Sequence, residues 1–164
     1  MKITELMHTQ LQTCRPEETL AEAAAKMLKF DLGALPVVTP ENKLLGMITD
    51  RDICMCGLIE GRPMKELPVS LATSSPAWAC EVGDTLNEVH AAMQTHKIHR
   101  VPVVDEEQRL VGIVGLGDIV RATNAKQRGT SPHALVQTLT AIRAPRELTP
   151  VLQEAGSGID ERPL

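Results

Sequence analysis

The chain has 164 residues, enough to bury roughly 70% of its unfolded surface without a metal or a disulfide. One Phe, one Trp, no Tyr and a net charge of −4 argue against a nucleic-acid binder, which needs stacking aromatics or a basic surface. No run of about 18 apolar residues and no N-terminal signal-peptide pattern is present, so we expect a cytoplasmic protein, without a membrane span, whose four cysteines are reduced.

The first predicted element is a helix that begins after Thr19. Thr19 can cap the helix, and Glu22 three residues later completes a capping box. Apolar side chains then recur at helical spacing, which predicts one buried stripe. Its members are Leu20, Ala23, Ala24, Met27 and Leu28. A short extended segment is expected before the helix, at residues 12–14.

A β-hairpin and a second helix are predicted next. Two apolar runs, at 35–38 and 44–48, flank five polar turn residues, which is typical of a hairpin. The second helix is predicted to start at Thr49, to bury Ile53 and to stop at Gly57.

The same order of elements recurs later in the chain at one constant spacing. ALPVV at 34–38 returns as RVPVV at 100–104, and LLGMI at 44–48 returns as LVGIV at 110–114. We call this common shift, from position 34 to position 100, the repeat offset. Glu5-Leu6 also matches Glu66-Leu67 at a smaller shift, which predicts about five extra residues near 71–75.

The duplication predicts how the two units associate. Each unit alone has a small core, so we expect an α/β (α+β) fold in which the two repeats pack together. Each repeat is a small sheet flanked by two helices, and the pair is expected to be related by a pseudo-twofold axis.

The repeat ends near Ala122. Ser131-Pro132 can open one more helix, at 133–143, whose predicted apolar stripe is Leu135, Val136, Leu139 and Ile142. From Ala144 the chain is rich in Pro, Gly and charge, and we expect most of it to be flexible. The predicted units are therefore residues 1–61, 62–122 and 123–164.

The repeated motifs resemble the CBS (cystathionine-β-synthase) domain. The matching runs are GALPVV at 33–38 and LGMITDRDI at 45–53, and then RVPVVD at 100–105 and GIVGLGDI at 112–119. The chain is most similar to small stand-alone bacterial CBS-pair proteins. This resemblance implies a non-catalytic regulatory module whose two clefts bind AMP, ADP, ATP, NAD, S-adenosylmethionine or a related ligand. It also implies an unknown effector protein and a homodimer, for which the helices after Thr49 and Gly117 carry further apolar positions, at Met55, Leu58, Ile59 and Val120.

The ligand motif of that family falls on Thr49 and Asp52. The Thr49 hydroxyl can meet a phosphate where a strand turns into a helix, and the Asp52 carboxylate can accept bonds from ribose hydroxyls. The same pair can equally be a plain helix cap. The second copy has Gly115 instead of a hydroxyl yet keeps Asp118, which favours ligand binding. Gly115 and Gly117 depart from the family pattern, so the second cleft either loses a phosphate contact or accepts a bulkier ligand.

Three further residues are candidate ligand contacts. In family members that bind phosphorylated nucleotides, basic residues just before the Pro-containing strand contact phosphates, and His99 and Arg100 match that position. Arg offers a bidentate fork for a phosphate, although isolated strand-edge residues of this type are usually only solvated. The first copy has Gly33-Ala34 there, so the two clefts are not expected to be equivalent. Trp78 precedes a cleft-lining strand and either stacks on adenine or is simply buried.

The cysteines suggest a different class of function. Cys14 and Cys80 occupy equivalent apolar strand positions, where Cys is usually a small buried hydrophobe. Cys54-x-Cys56 fits no standard zinc spacing, and no catalytic motif is present, so we expect no metal, no catalytic cofactor and no enzyme activity. Three hypotheses remain: a nucleotide-sensing module, a dimerisation module with vestigial clefts, and a cysteine-based redox or metal sensor.

Overall fold

The computed structural model describes residues 1–145, so most of the predicted flexible tail lies outside the described residues. Within that range there are five α-helices and five β-strands. The helices are α1 (Leu20–Phe30), α2 (Asp50–Glu60), α3 (Leu86–His96), α4 (Leu116–Asn124) and α5 (Pro132–Arg143). The strands are β1 (Ala34–Val38), β2 (Leu44–Thr49), β3 (Cys80–Glu81), β4 (Arg100–Val104) and β5 (Leu110–Gly115).

Two hairpins form the two sheets of the molecule. β1 pairs with β2 antiparallel, and β4 pairs with β5 in the same register, displaced by the repeat offset. The short strand β3 adds to β4 in parallel, and Cys14 makes the corresponding single bridge to Val37. The predicted α/β (α+β) repeat of helix, hairpin and helix is therefore confirmed.

The helix ends follow local capping rules in most cases. The Glu22 carboxylate accepts the Thr19 backbone N–H at 2.7 Å, and Glu88 caps Thr85 in the same way. The predicted stop at Gly57 is wrong, because α2 continues to Glu60. The helix ends one turn later at Gly61, whose positive φ of 61° provides the left-handed C-cap.

The leading segments of the repeats correct a second expectation. The turn Ile3–Glu5 is equivalent to the turn Val69–Leu71, not to Glu66-Leu67, because Ile3 and Val69 occupy matching core positions and are both fully buried. The repeat offset therefore holds here as well, and the predicted insertion near 71–75 does not exist. A two-residue identity misled the sequence alignment, whereas burial and backbone pairing set the true register.

These leading segments are exchanged between the two cores. Ile3 packs in the core of the second repeat with Leu86 and Val101, and its N–H bonds to the Asp84 carbonyl at 3.2 Å. Val69 packs in the core of the first repeat, and its N–H bonds to the Glu18 carbonyl at 2.7 Å. Each core therefore needs both ends of the duplicated sequence, and the boundary proposed at residue 61 stays a prediction about sequence units.

The hairpin tips meet across the pseudo-twofold axis. Leu44 N–H donates to the Gln108 carbonyl at 3.1 Å, and Leu110 N–H donates to the Asn42 carbonyl at 2.9 Å. The repeat offset relates the two bonds to each other. This reciprocity shows that the two repeats associate about a pseudo-twofold axis, as the duplication predicted.

The helix α5 covers only the second repeat. It packs along α3, where Thr138 is fully buried beside His90. The equivalent face of α1 is left open, so Leu28 is 85% exposed and its predicted place on a buried stripe is wrong. Of the predicted apolar stripe on α5, Ile142 is buried, whereas Val136 is 59% exposed.

Candidate functional site

A cleft of about 680 Å³ opens between the two repeats, and we call it the first cleft. Its walls come from the start of β1, from the corner between β2 and α2, from residues 74–78, and from residues 96–100. Five of the six residues predicted from sequence lie around this one space. They are Thr49, Asp52, Trp78, His99 and Arg100.

The acidic wall is the corner where β2 turns into α2. Asp52 Oδ2 accepts hydrogen bonds from the Thr49 hydroxyl at 2.7 Å and from the Thr49 backbone N–H at 2.9 Å. The helix-cap interpretation of this pair is therefore correct for one carboxylate oxygen. Asp52 Oδ1 has no hydrogen-bond partner within residues 1–145 and remains able to accept bonds from a ligand.

The opposite wall is basic. Arg100 is exposed at the start of β4, and among the described residues its guanidinium makes no ion pair. Lys97 adds a second cation to this wall, and Arg51 adds one beside Asp52 on the first wall; the sequence reasoning missed both. Lys97 follows the last turn of α3, where it also donates to the Pro145 carbonyl at 2.5 Å. A cluster of basic residues facing a carboxylate is suited to a ligand with a phosphate at one end and hydroxyls at the other.

Trp78 lies at the rim of the first cleft. Its ring stacks on the ring of His96, with centroids 3.7 Å apart and an interplanar angle of 7°. Trp78 is nevertheless 53% exposed, so simple burial, one of the two alternatives for this residue, is wrong. The exposed part of an indole that already holds one aromatic ring can accept a flat base by the same kind of contact.

Residues 74–77 form a floor that sequence reasoning did not predict. Ser74 pairs with Met47 through two backbone hydrogen bonds, of 3.1 and 2.9 Å, so the segment runs along the edge of β2. Gly46 makes this possible, because a Cβ at that position would lie 2.7 Å from the Ser74 carbonyl oxygen. Gly46, the glycine of the repeated motif, therefore allows this segment to pack closely against β2. In the sequence, this glycine was the only signal that a segment crosses β2 here.

The sixth predicted residue, Asp118, lies elsewhere. The repeat offset relates the lining of the first cleft to residues 8–12, 30–34, 99–100 and 115–118, which include Asp118, and we call this equivalent region the second cleft. Asp118 is only 9% exposed, and its Oδ2 accepts the Gly115 backbone N–H at 2.7 Å. Its Oδ1 contacts His8 Nε2 at 2.8 Å and also the guanidinium of Arg121.

These contacts change the argument for a ligand at Asp118. The carboxylate caps α4 through a backbone N–H although residue 115 has no hydroxyl, and two basic side chains complete its shell. Retention of the acid therefore needs no ligand to explain it. Nothing in the local sequence pattern indicates that His8 pairs with a residue 110 positions away.

The cysteines divide into two pairs. Cys14 and Cys80 are buried, and burial raises the pKa of each thiol to about 12. Cys54 is exposed and Cys56 half-buried on α2, where burial also raises the pKa of Cys56. Residues 1–145 contain no group of three or more His, Cys, Asp or Glu side chains placed to hold a metal ion.

No helix in the described part of the chain has the length and apolar character needed to cross a bilayer.

Comparison with known proteins identifies relatives of this architecture. The CBS-domain family model matches residues 3–56 and 69–125, with both matches beginning at the equivalent buried turn. A CBS domain-containing protein, YhcV, of Bacillus subtilis is 38% identical over 133 residues, covering 81% of this chain and 91% of its own. Hypoxic response protein 1 of Mycobacterium tuberculosis is 33% identical over 144 residues, covering 88% of this chain and 95% of its own.

Solved structures agree with these matches. Hypoxic Response Protein I, crystallised with two coordinated zinc ions, aligns with a TM-score of 0.68 over 74% of this chain and 98% of its own, at 33% identity. The CBS-domain pair of protein MJ0100, in complex with 5′-methylthioadenosine and S-adenosyl-L-methionine, aligns with a TM-score of 0.69 over 77% of this chain and 98% of its own, at 26% identity.

Proposed function

Because this chain belongs to the CBS-domain family, we propose that it is a non-catalytic regulatory module that binds an adenosyl ligand in its first cleft. The related CBS pair of MJ0100 holds two such ligands, which supports this class of small molecule. Binding would report energy or stress state to an effector protein in the cytoplasm.

One observation carries the proposal: a space of about 680 Å³ has the acceptor Asp52 on one wall and the cations Lys97 and Arg100 on the other. Ligand pockets commonly measure about 300–1,000 Å³, so a nucleotide fits by size. Asp52 Oδ1 is the acceptor for ribose hydroxyls, and the Thr49 hydroxyl holds the other oxygen of that carboxylate in place. Capping and ligand binding are therefore compatible functions of one side chain.

The charges favour a phosphorylated member of this ligand class. Arg51, Lys97 and Arg100 line the cleft, and Arg100 has no ion-pair partner within the described residues. A phosphate would give that guanidinium a bidentate, charge-assisted partner. We therefore propose AMP, ADP, ATP or NAD ahead of S-adenosylmethionine, whose sulfonium carries a positive charge.

Tryptophan fluorescence provides a direct test, because Trp78 is the only Trp and the chain has no Tyr. Titration with AMP, ATP, NAD, adenosine and S-adenosylmethionine should change the emission of Trp78 with at least one of them. Arg100→Ala should weaken AMP by about 10–100-fold, since a charge-assisted bond contributes about 1.5–3 kcal/mol, and should leave adenosine nearly unchanged.

Arg109→Ala is the matched control, because this exposed Arg pairs with Asp105 on a hairpin turn outside the cleft lining. If no ligand changes the emission or the melting temperature, the sensing function is wrong and a dimerisation module with vestigial clefts becomes the better explanation.

We also propose that the protein is a homodimer. Six large exposed apolar side chains lie on or just after α1 and α2: Leu28, Phe30, Met55, Leu58, Ile59 and Met64. The second repeat has Gln94, Asn124 and Ala125 where the first has Leu28, Leu58 and Ile59. An open apolar face of this kind marks an interaction site. Light scattering should give twice the chain mass, and Leu28→Ser with Leu58→Ser should give the monomer.

A further inference from the structure

The second cleft differs from the first in what surrounds its carboxylate. Asp118 has both oxygens engaged, by the Gly115 N–H on one side and by His8 and Arg121 on the other. Asp52 has one oxygen engaged, by Thr49 alone. The backbone around the two acids is equivalent, since each begins a helix after the second strand of its hairpin.

The residues responsible can be identified by the repeat offset. His8 corresponds to Ser74, because His8 bridges Ile113 as Ser74 bridges Met47. Arg121 corresponds to Met55, in the second turn of its helix. Asp52 thus has a short hydroxyl side chain and an apolar one in the places where Asp118 has two bases. Neither Ser74 nor Met55 makes a side-chain hydrogen bond to Asp52 in the described structure.

We propose that His8 and Arg121 hold the second cleft closed by occupying Asp118, so that the protein binds one adenosyl ligand per chain, in the first cleft. This inference rests on the proposed function and adds its stoichiometry and the residues that set it. A ribose diol approaching Asp118 would have to displace a hydrogen bond from His8 Nε2 and an ion pair from Arg121. At Asp52 it would displace neither, because Oδ1 is uncommitted.

Burial strengthens this self-pairing. The Asp118 side chain is 10% exposed, whereas those of His8 and Arg121 are 61% and 71% exposed. A carboxylate removed from water needs partners, and losing one is costly when the group cannot rehydrate. The two basic residues are held in place differently. Two backbone hydrogen bonds to Ile113, of 2.9 and 3.0 Å, fix His8. Arg121 is held by its place on α4, one turn after Asp118.

Exchanging the residues between clefts tests the inference. The opened variant is His8→Ser, Gly115→Thr and Arg121→Met, which gives the second cleft the side chains of the first. The closed variant is Ser74→His with Met55→Arg, at two exposed positions with room for longer side chains. Calorimetric titration with AMP and with S-adenosylmethionine should give one site in the wild type and two in the opened variant. The closed variant should bind at least tenfold more weakly.

Single substitutions assign each site. Asp52→Ala should abolish the wild-type site, and Asp118→Ala should leave its affinity unchanged. Two wild-type sites, one of them lost in Asp118→Ala, would overturn the closed second cleft while leaving the proposed function intact. An opened variant that still binds one ligand would also overturn it, because the three exchanged residues would then not be what closes the cleft.

A ligand-free measurement covers the remaining outcome. If the wild type binds neither probe, the proposed function and the stoichiometry both fail, and only the pairing of His8 with Asp118 is judged, by a double-mutant cycle of His8→Ser and Asp118→Asn on the melting temperature. If the double variant has the same melting temperature as the less stable of the two single variants, the pairing is supported. Strictly additive decreases in melting temperature show that His8 and Asp118 act independently, and the inference is then wrong.

Discussion

The first repeat leaves contacts open that the second repeat satisfies internally. Asp52 has a carboxylate oxygen without a partner in the described structure, and the α1 face around Leu28 is uncovered. In the second repeat His8 and Arg121 surround Asp118, and α5 covers α3. The two backbones are nearly the same. The open contacts of the first repeat therefore result from a few different side chains and from one added helix on the second repeat.

The largest expected effect is the difference in reactivity between the buried and the exposed thiols. It also tests one respect in which the two repeats are alike, the burial of an equivalent cysteine in each. Cys14 and Cys80 are equivalent strand residues, and burial raises the pKa of both from 9.0 to about 12. This reduces the thiolate fraction by about a thousandfold, and the thiolate is the reactive form. Both thiols should therefore react with a disulfide reagent at least about a hundredfold more slowly than exposed Cys54.

Denaturation should make all four thiols react at comparable rates. Mass spectrometry after timed alkylation identifies each residue. Rapid modification of Cys14 but not Cys80 in the native protein would mean that the two repeats differ in the stability of their cores and not only in their surfaces.

Glycine substitutions provide the second test, because the segment at Ser74 and the segment at Met7 pack differently against the two hairpins. A Cβ at Gly46 would lie 2.7 Å from a backbone oxygen of Ser74, whereas at Gly112 it would meet the flexible side chain of Met7, with Sδ at 2.5 Å. Overpacking costs about 1–3 kcal/mol, so Gly46→Ala should lie at the upper end of that range and Gly112→Ala at the lower end.

Gly83→Ala is the control for these two variants, since nothing lies within 4 Å of an added Cβ there. Urea unfolding midpoints measure the difference. Equal losses at Gly46 and Gly112 would show that the Met7 segment is as rigid as the segment at Ser74.

Much of this architecture was accessible from the sequence because it depends on local or repeated signals. The capping box at Thr19 and the paired apolar runs of the hairpin predicted their elements correctly, and the repeat predicted a pseudo-twofold pair. The register of the N-terminal turn was misassigned, because Ile3 packs in the core of the other repeat and no local pattern records that exchange.

The sequence also predicted the part of the candidate site that depends on local motifs, but not the part that depends on contacts between the repeats. Five of its residues are brought together as the motifs indicated, but Lys97, Arg51 and the floor at 74–77 come from the packing of one repeat against the other. The exposure of Leu28 was missed for a similar reason. Helical spacing shows which side chains share a face, whereas only the tertiary structure shows whether another helix covers that face.

The smallest expected effect concerns the helix that covers the second repeat. The Thr138 hydroxyl donates to the Ala134 carbonyl at 2.9 Å and accepts from Gln94 at 2.8 Å. His90 Nδ1, at 2.7 Å from the same oxygen, is therefore the N–H donor. Its Nε2 then carries no proton and has no partner among the described residues.

Protonation of His90 would place an unpaired N–H and a charge in this buried interface, and burial accordingly lowers its pKa below 6.5. Because the unfolded chain takes up the proton more readily, the stability from neutral His90 is complete above pH 6.5 and decreases as the pH falls below it. The slope from one such proton is at most about 1.4 kcal/mol per pH unit. His90→Gln should flatten the decrease in melting temperature between pH 6.5 and pH 5, whereas the exposed control His133→Gln should not. Parallel curves for the wild type and His90→Gln would show that α5 is held by its apolar contacts alone, and that the cover on the second repeat does not depend on pH.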